Sequence, residues 1–441
     1  MPTFSLTSLG CAKNLVNSEQ MLFLMQEAGY QSVPDADGAD LAIINTCGFI
    51  DAAKSEAIDC ILEHAALKQD GRLGGIIVTG CLSERYQGEI QKELPEIDAV
   101  LGVGSFGDIV NAADAVMNGQ NYRAFANNSA PVDEIPRLVS TGPAWAYLRI
   151  AEGCNNFCAF CAIPFIRGRY RSREMEAIVN EARALAEGGV KELIVIAQDI
   201  TRYGTDLYGK RCLAELCRRL SVIPGIRWIR LHYLYPDQFD EELIDEIASN
   251  DKIVKYLDIP IQHINNEILR RMNRRGTGDE IRMLFRTLRS CIPGLVLRTS
   301  LITGLPGEGE QEFDELCAFL REAKIERAGV FPFSPEEGTP AAEMPHVDAD
   351  EASRRADMIL ELQGEFLDSF AQAQVGKELP ILIEQYDEEN DCWLGRSYAD
   401  SPEIDSLVCV TGDCSPGEMP MVLIEAAENG ILFGSVTVKE V

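Results

Sequence analysis

Short apolar runs followed at once by amphipathic stretches recur along most of this chain, and that alternation restricts it to layered α/β architectures. Near the N-terminus the pairs are TFSLTSLG with VNSEQMLFLMQEAGY, DLAIINTC with IDAAKSEAIDCILEHAA, and GGIIVTGC with LSERYQGEIQKEL. Apolar runs of strand length joined by helical segments predict parallel strands under covering helices, so residues 1–116 read as a doubly wound parallel α/β domain. Over residues 117–143 (MNGQNYRAFANNSAPVDEIPRLVSTGP) the periodicity dissolves into Asn, Pro, Gly and Ser, the composition of a linker.

From residue 144 the alternation resumes on a longer beat. The candidate strands are WAYLRIAE, KELIVIAQD, IRWIRLHYLY, KYLDIPIQ, LVLRTSLITG and RAGVFPFS, separated by helix-like segments such as REMEAIVNEARALAEGG. Six βα units predict an open (βα)6 barrel over 144–371, because closure of the usual kind takes eight. Residues 372–441 change to short β-rich runs punctuated by turn residues, which predicts a small antiparallel β-barrel. Three such units suit 441 residues at roughly 150 per domain.

Charge narrows the partners. With 40 Lys and Arg against 70 Asp and Glu the formal charge is −30, which argues against a nucleic-acid phosphate backbone as the main partner and reads either as plain solubility or as suiting a basic macromolecule. The last unit is the most acidic per residue, with 3 basic and 14 acidic side chains over 372–441, among them Asp387, Glu388, Glu389 and Asp391. No apolar run reaches the eighteen or so residues of a membrane span, and MPTFSLTSLGCAKN lacks the layout of a signal peptide. The expectation is a cytoplasmic protein with no membrane partner. In such a reducing compartment the 14 cysteines are core thiols or ligands of a soft metal centre.

Two cysteine sets stand out. Cys154, Cys158 and Cys161 lie in GCNNFCAFC, a C-x3-C-x2-C run directly after the first strand of the second unit. Thiolate is the soft ligand that iron–sulfur clusters require, and three thiolates serving a 4Fe-4S cube leave one iron open. Zinc is the rival, but zinc motifs come in two halves and no second half follows. Cys11, Cys47 and Cys81 each follow a predicted parallel strand, where sites of open α/β sheets gather, so they can converge although far apart in sequence. Such a trio is again a cluster signature. Cys60, Cys212, Cys217, Cys291 and Cys317 lie in or beside helical patterns and read as core, and Cys392, Cys409 and Cys414 belong to the final barrel.

Polar groups at strand ends of the barrel are further candidates, since barrel enzymes place their sites at that rim. Gln198 and Asp199 end IAQD, Gln262 and His263 end KYLDIPIQH, and His232 lies in RLHYLYP. Arg298 sits inside an apolar strand that closes on the Gly304–Pro306 turn of LITGLPGE. It reads either as snorkelling or as meeting a ligand's carboxylate. The rim histidines read equally well as satisfied structural donors. The alternation Arg167, Arg169, Arg171, Arg173 reads either as a salt-bridged solvated face or as a grip on an anionic cofactor or substrate segment.

GCNNFCAFC, ITGLPGE and the six-unit barrel resemble the radical S-adenosylmethionine (SAM) superfamily. Together with SLGCAKNLVNSE, INTCGFID, VTGCLSERY, LDIPIQH and GRSYADSPEID, the whole chain is similar to the ribosomal-protein aspartate methylthiotransferases, the RimO type. The closing segment resembles a TRAM domain. The resemblance implies two 4Fe-4S clusters, on Cys154, Cys158 and Cys161 and on Cys11, Cys47 and Cys81, with Gln198, Asp199, Gln262, Arg298, Gly304 and Pro306 as SAM contacts. It implies radical chemistry at the β-carbon of an aspartate in a basic small-subunit ribosomal protein, sulfur supplied at the second cluster, and an external electron donor such as flavodoxin or ferredoxin. The competing readings are a methylthiotransferase acting on a tRNA adenosine and a non-catalytic iron–sulfur or ribosome-associated factor.

Overall fold

Alternating side chains within the first strands decide how the N-terminal sheet is built. In the computed structural model, which describes residues 1–142 and 144–438, six strands form one parallel sheet. They are β1 (Thr3–Ser8), β2 (Gln31–Ser32), β3 (Leu41–Thr46), β4 (Gly75–Gly80), β5 (Ala99–Leu101) and β6 (Tyr122–Ala124), in the order β2-β1-β3-β4-β5-β6. Leu41 and Ile43 point into one core with Phe4, Met21 and Ile109, while Ala42 and Ile44 point into the other with Ala57, Ile61 and Val78. That two-residue period lets α1 (Ala12–Glu27) cover one face and α2 (Asp51–Gln69) the other, the doubly wound arrangement expected. The strand order turns back between β1 and β3, which defines the switch point where open α/β sheets bind.

β6 lies within the expected linker. Residues 122–124 pair in parallel with 99–101 as the sheet's edge, although YRA, between Asn121 and Phe125, is too short to carry a periodic signal. Pro143 and residues 439–441, at the ends of the expected linker and final barrel, lie outside the described residues.

The chain divides into two compact units, the first comprising Met1–Ser140, Ala151–Arg173 and Ser334–Ala342, the second Thr141–Ile150, Glu174–Phe333 and Glu343–Val441. These bounds differ from the sequence-drawn 1–116, 144–371 and 372–441. β7 (Trp145–Arg149) opens the second unit's sheet, but the next residues, β8 (Ala151–Glu152) and β9 (Arg171–Ser172), form a small antiparallel ribbon in the first unit. The loop bearing Cys154, Cys158 and Cys161 therefore belongs to the same compact unit as Cys11, Cys47 and Cys81.

In the second unit β7 is joined by β10 (Glu192–Ile196), β11 (Trp228–Leu231), β12 (Ile253–Asp258), β13 (Val296–Thr303) and β14 (Arg327–Pro332). All six are parallel, in the order β14-β13-β12-β11-β10-β7, which is the open (βα)6 sheet. The C-terminal strands β15 (Glu378–Pro380), β16 (Leu382–Asp387), β17 (Cys392–Arg396), β18 (Val408–Thr411), β19 (Met421–Glu428) and β20 (Ile431–Val438) form the small barrel-like sheet. It is antiparallel apart from one parallel pair, β18 with β20.

The loop after β17 inserts polar groups among the parallel strands. Tyr147 donates to Glu403 (2.7 Å), Tyr256 to Asp405 (2.7 Å), and Ser401 Oγ lies 3.0 Å from His232 Nε2. Arg230 reaches the Tyr398 carbonyl at 2.8 Å, and Arg327 pairs with Asp400. His232 is thus a satisfied structural histidine. No helix among the described residues is long and apolar enough to cross a membrane.

Candidate functional site

Cys47 and Cys81 are the first residues past β3 and β4, while Cys11 stands three residues past β1 as the N-cap of α1, two further than its sequence pattern predicts. Because β1, β3 and β4 are neighbours, their ends deliver the three thiols to one edge of the sheet. Glycines make the approach possible. Gly10, at φ +88°, would place a Cβ 2.7 Å from Cys47 Cβ, and Gly80, at φ +101°, one 2.4 Å from the Thr46 carbonyl oxygen. No side chain fits either place. These flanking glycines were a readable signal of convergence that cysteine spacing alone does not carry.

The thiols feel one another. Burial pushes Cys81 up to about 11, with Cys11 and Cys47 adding to the rise and Arg167 opposing it. Burial likewise raises Cys47, against the Phe49 N–H and Arg167. Cys11 reaches solvent on one side and is crowded on the other. Its enclosure pushes the thiol up, yet Lys13, Arg167 and the N–H groups of Asn14 and Lys13 outweigh that and lower it overall, which favours the ligating thiolate.

Arg167 is the residue that sequence reasoning undervalued. It is 1% exposed, not part of a solvated face. Its Nη1 donates to both Glu152 carboxylate oxygens (3.1 and 2.8 Å) and its Nη2 to Asn14 Oδ1. Asn14 in turn donates to the carbonyls of Leu9 (3.0 Å) and Thr46 (2.9 Å), which tie down the ends of β1 and β3. The other arginines of the alternation have ordinary partners: Arg169 stacks 4.3 Å from the Phe157 ring, Arg171 donates to the Arg169 carbonyl (3.1 Å), and Arg173 pairs with Glu134.

In the second trio Cys154 and Cys158 are buried and Cys161 half-buried. The Asn156 N–H points at Cys154 Sγ (3.4 Å), the Cys154 N–H bonds the Gly168 carbonyl (3.1 Å), and the Cys161 N–H bonds the Cys158 carbonyl (3.0 Å), so the run is a tight, preformed loop. Phe157 adopts φ +50° inside it. Among the described residues no three His, Cys, Asp or Glu side chains are spaced to hold a single metal ion. In a 4Fe-4S cube each thiolate binds its own iron. Six soft donors in two trios, with a buried cation beside one, fit two 4Fe-4S clusters.

The rim residues of the second unit divide. Asp199 is committed to its own turn, accepting from the Thr201 N–H (3.1 Å) and pairing with Arg202 (3.0 Å). Arg298 meets a carboxylate within the protein, Asp258 at 2.8 Å. Gln198 follows β10 at the rim, half-buried. Gln262 adopts φ +70° and is stitched to β13, its N–H to the Ser300 carbonyl and its carbonyl to the Ile302 N–H, both 2.9 Å. Gly304, at φ +71°, donates to Glu308 (3.0 Å), and Pro306 is buried in the same turn. Glu308 also holds Arg355 (2.8 Å) and lies 3.4 Å from His263 Nε2. His263 is therefore structural, and the Gly-Pro-Gly turn is anchored by a buried carboxylate that the sequence reading left unassigned.

A six-stranded open parallel barrel whose first strand runs into a three-cysteine loop, preceded by a doubly wound domain with its own trio, defines a two-cluster radical SAM protein. Family comparisons agree: residues 148–320 match the Radical SAM superfamily, 3–102 the Uncharacterized protein family UPF0004, and 375–437 the TRAM domain. The ribosomal protein uS12 methylthiotransferase RimO of Thermoanaerobacter sp. (strain X514) is 48% identical over 415 residues, covering 94% of each chain. That of Caldanaerobacter subterraneus subsp. tengcongensis is 48% identical over 438 residues, 98% of this chain and 100% of the relative. The chain belongs to the ribosomal protein uS12 methylthiotransferase (RimO) family. A radical S-adenosylmethionine methyltransferase, TsrM, from Kitasatospora setae, solved with cobalamin and a 4Fe-4S cluster, shares the fold at a TM-score of 0.57 and 15% identity, over 77% of each chain.

Proposed function

We propose that this chain transfers a methylthio group to the β-carbon of an aspartate in ribosomal protein uS12, in the cytoplasm, taking electrons from a small carrier such as flavodoxin or ferredoxin. The observation that carries the reading is near-full-length identity of 48% to a uS12 enzyme, joined to two cysteine trios within one compact unit. Cys154, Cys158 and Cys161 would hold the cluster that serves SAM, and Cys11, Cys47 and Cys81 the cluster that serves sulfur. When bound, these groups and SAM supply one-electron reduction, radical generation and the sulfur, chemistry that no acid–base side chain provides.

The protein's own part is placement. Glu308 pins Gly304 and Arg355 and so fixes the rim turn after β13. Gln262 holds the end of β12 against β13 through its own backbone. Gln198, Gln262, Gly304 and Pro306 remain the candidate SAM contacts, while Asp199 and Arg298 act through the turn and the ion pair that hold them. The test is the mass of uS12 from cells with and without this gene, and of uS12 incubated with reconstituted enzyme, SAM, sulfide and reductant. Gain of one methylthio group in place of one hydrogen supports the reading. Modification of tRNA instead, or failure of the reduced protein to cleave SAM, turns the assignment to one of the two rival readings.

The acidic C-terminal sheet suits a basic substrate, because complementary charge mainly raises encounter rate. Asp387 is a poor site to probe this, since its carboxylate accepts the Glu389 N–H (3.0 Å) and the Asn390 amide (2.8 Å) and shapes the β16–β17 turn. Glu388 and Glu389 are exposed in the same turn. Reversing both to lysine is expected to slow uS12 association several-fold at low salt and little at high salt, measured by stopped-flow. Equal slowing at both salts counts against steering.

A further inference from the structure

One buried guanidinium touches both cysteine-bearing segments. Glu152, two residues before Cys154, neutralises Arg167 through two hydrogen bonds. Arg167 Nη2 also bonds Asn14 Oδ1, the same oxygen that lies 3.7 Å from Cys81 Sγ of the N-terminal trio. Lysine, a point charge on a flexible stem, lacks the planar fork that meets the carboxylate and the amide in fixed directions.

We propose that Arg167 is a positioning residue that serves as the fixed counter-cation of the Cys11–Cys47–Cys81 centre, making that centre easier to reduce and its open iron more retentive of an anionic sulfur ligand. The inference rests on the assignment of that trio to a cluster. Burial makes the effect large. A unit charge several ångströms away in a medium of effective dielectric about 20 changes the affinity for an anion by at least about tenfold. The rival role is a structural clip between the β8 segment and α1, which depends on hydrogen bonds and not on charge.

The test uses the full chain carrying Cys154→Ala, Cys158→Ala and Cys161→Ala, reconstituted anaerobically so that the N-terminal trio alone loads. Into it are placed Arg167→Lys, which keeps the charge, and Arg167→Gln, which keeps hydrogen bonding without it. Iron content, the midpoint potential from an EPR-monitored titration, and hydrosulfide binding followed by EPR are read for each. Arg167→Gln is expected to shift the potential negative and weaken hydrosulfide binding at least tenfold, with Arg167→Lys between it and the parent. Loss of iron in Arg167→Gln with retention in Arg167→Lys also supports the charge role. A normal potential and normal hydrosulfide affinity in iron-loaded Arg167→Gln overturn it, as does equal loss of iron in both variants, which marks Arg167 as a clip. A parent that takes up no iron overturns the cluster assignment itself, a separate and recognisable failure.

Discussion

Replacing Cys11, Cys47 and Cys81 together by alanine lowers the iron of anaerobically reconstituted protein from about eight to about four per chain. Methylthio transfer to uS12 disappears, while the reduced protein still cleaves SAM. The separation follows from where the thiols sit. The first trio closes the ends of three adjacent strands, and the second is confined to one tight loop with its own backbone bonds. Alanine at positions 47 and 81 removes one sulfur each; Cys81 packs with Val103, Ala162 and Ile166, but the two main cores of the sheet are built from other residues, so the sheet should survive. Circular dichroism checks that it does. The mirror variant, alanine at Cys154, Cys158 and Cys161, also keeps about four irons but loses SAM cleavage. Iron remaining near eight in the first variant removes those three residues from the site.

How much of this could be read beforehand depended on the physical range of each signal. Strand alternation is local, so β1, β3 and β4 and the six barrel strands were legible, and with them the strand ends that carry Cys47 and Cys81. The C-x3-C-x2-C loop was legible because its chemistry is written in one short stretch. β6 was not, because three residues show no period. Nor was the membership of residues 151–173 in the first compact unit, since a loop's allegiance is set by contacts made far along the chain. Arg167 illustrates the same limit: four alternating arginines look alike in sequence, and only the arrival of Asn14 and Glu152 separates the buried one from its neighbours. Arg298 and Asp199 fail in the opposite direction. Asp199 stands just past β10 and Arg298 inside β13, yet Arg202 and Asp258 take up their charge within the protein.

The largest stability effect is expected at Glu192, in the second unit. Its side chain has no exposed surface and is held between two arginines, Arg230 at 2.7 Å and Arg396 at 2.6 Å. Arg396 further engages Glu384 at 2.7 Å, and Arg230 the Tyr398 carbonyl at 2.8 Å, so β10, β11 and the C-terminal strand β17 share one buried network. Glu192→Gln strips the central negative charge and leaves two buried guanidinium groups facing each other, a loss of about 3–5 kcal/mol for breaking a buried pair. The melting transition of this unit should fall by several degrees, followed by calorimetry. Glu267→Gln, which breaks an exposed pair with Arg270 and Arg271, should leave the transition where it was. The pH dependence has a definite sign. Burial alone would raise the Glu192 carboxyl, but Arg396 and Arg230 outweigh it and hold the group below its ordinary value. Its contribution is therefore complete above the ordinary glutamate pKa of about 4.3 and is lost as the pH falls through the lower folded value. Wild type should lose part of its margin over Glu192→Gln between neutral pH and strong acid. A margin that is constant with pH, or a variant as stable as wild type at pH 7, means the network is not what joins the C-terminal sheet to the barrel strands.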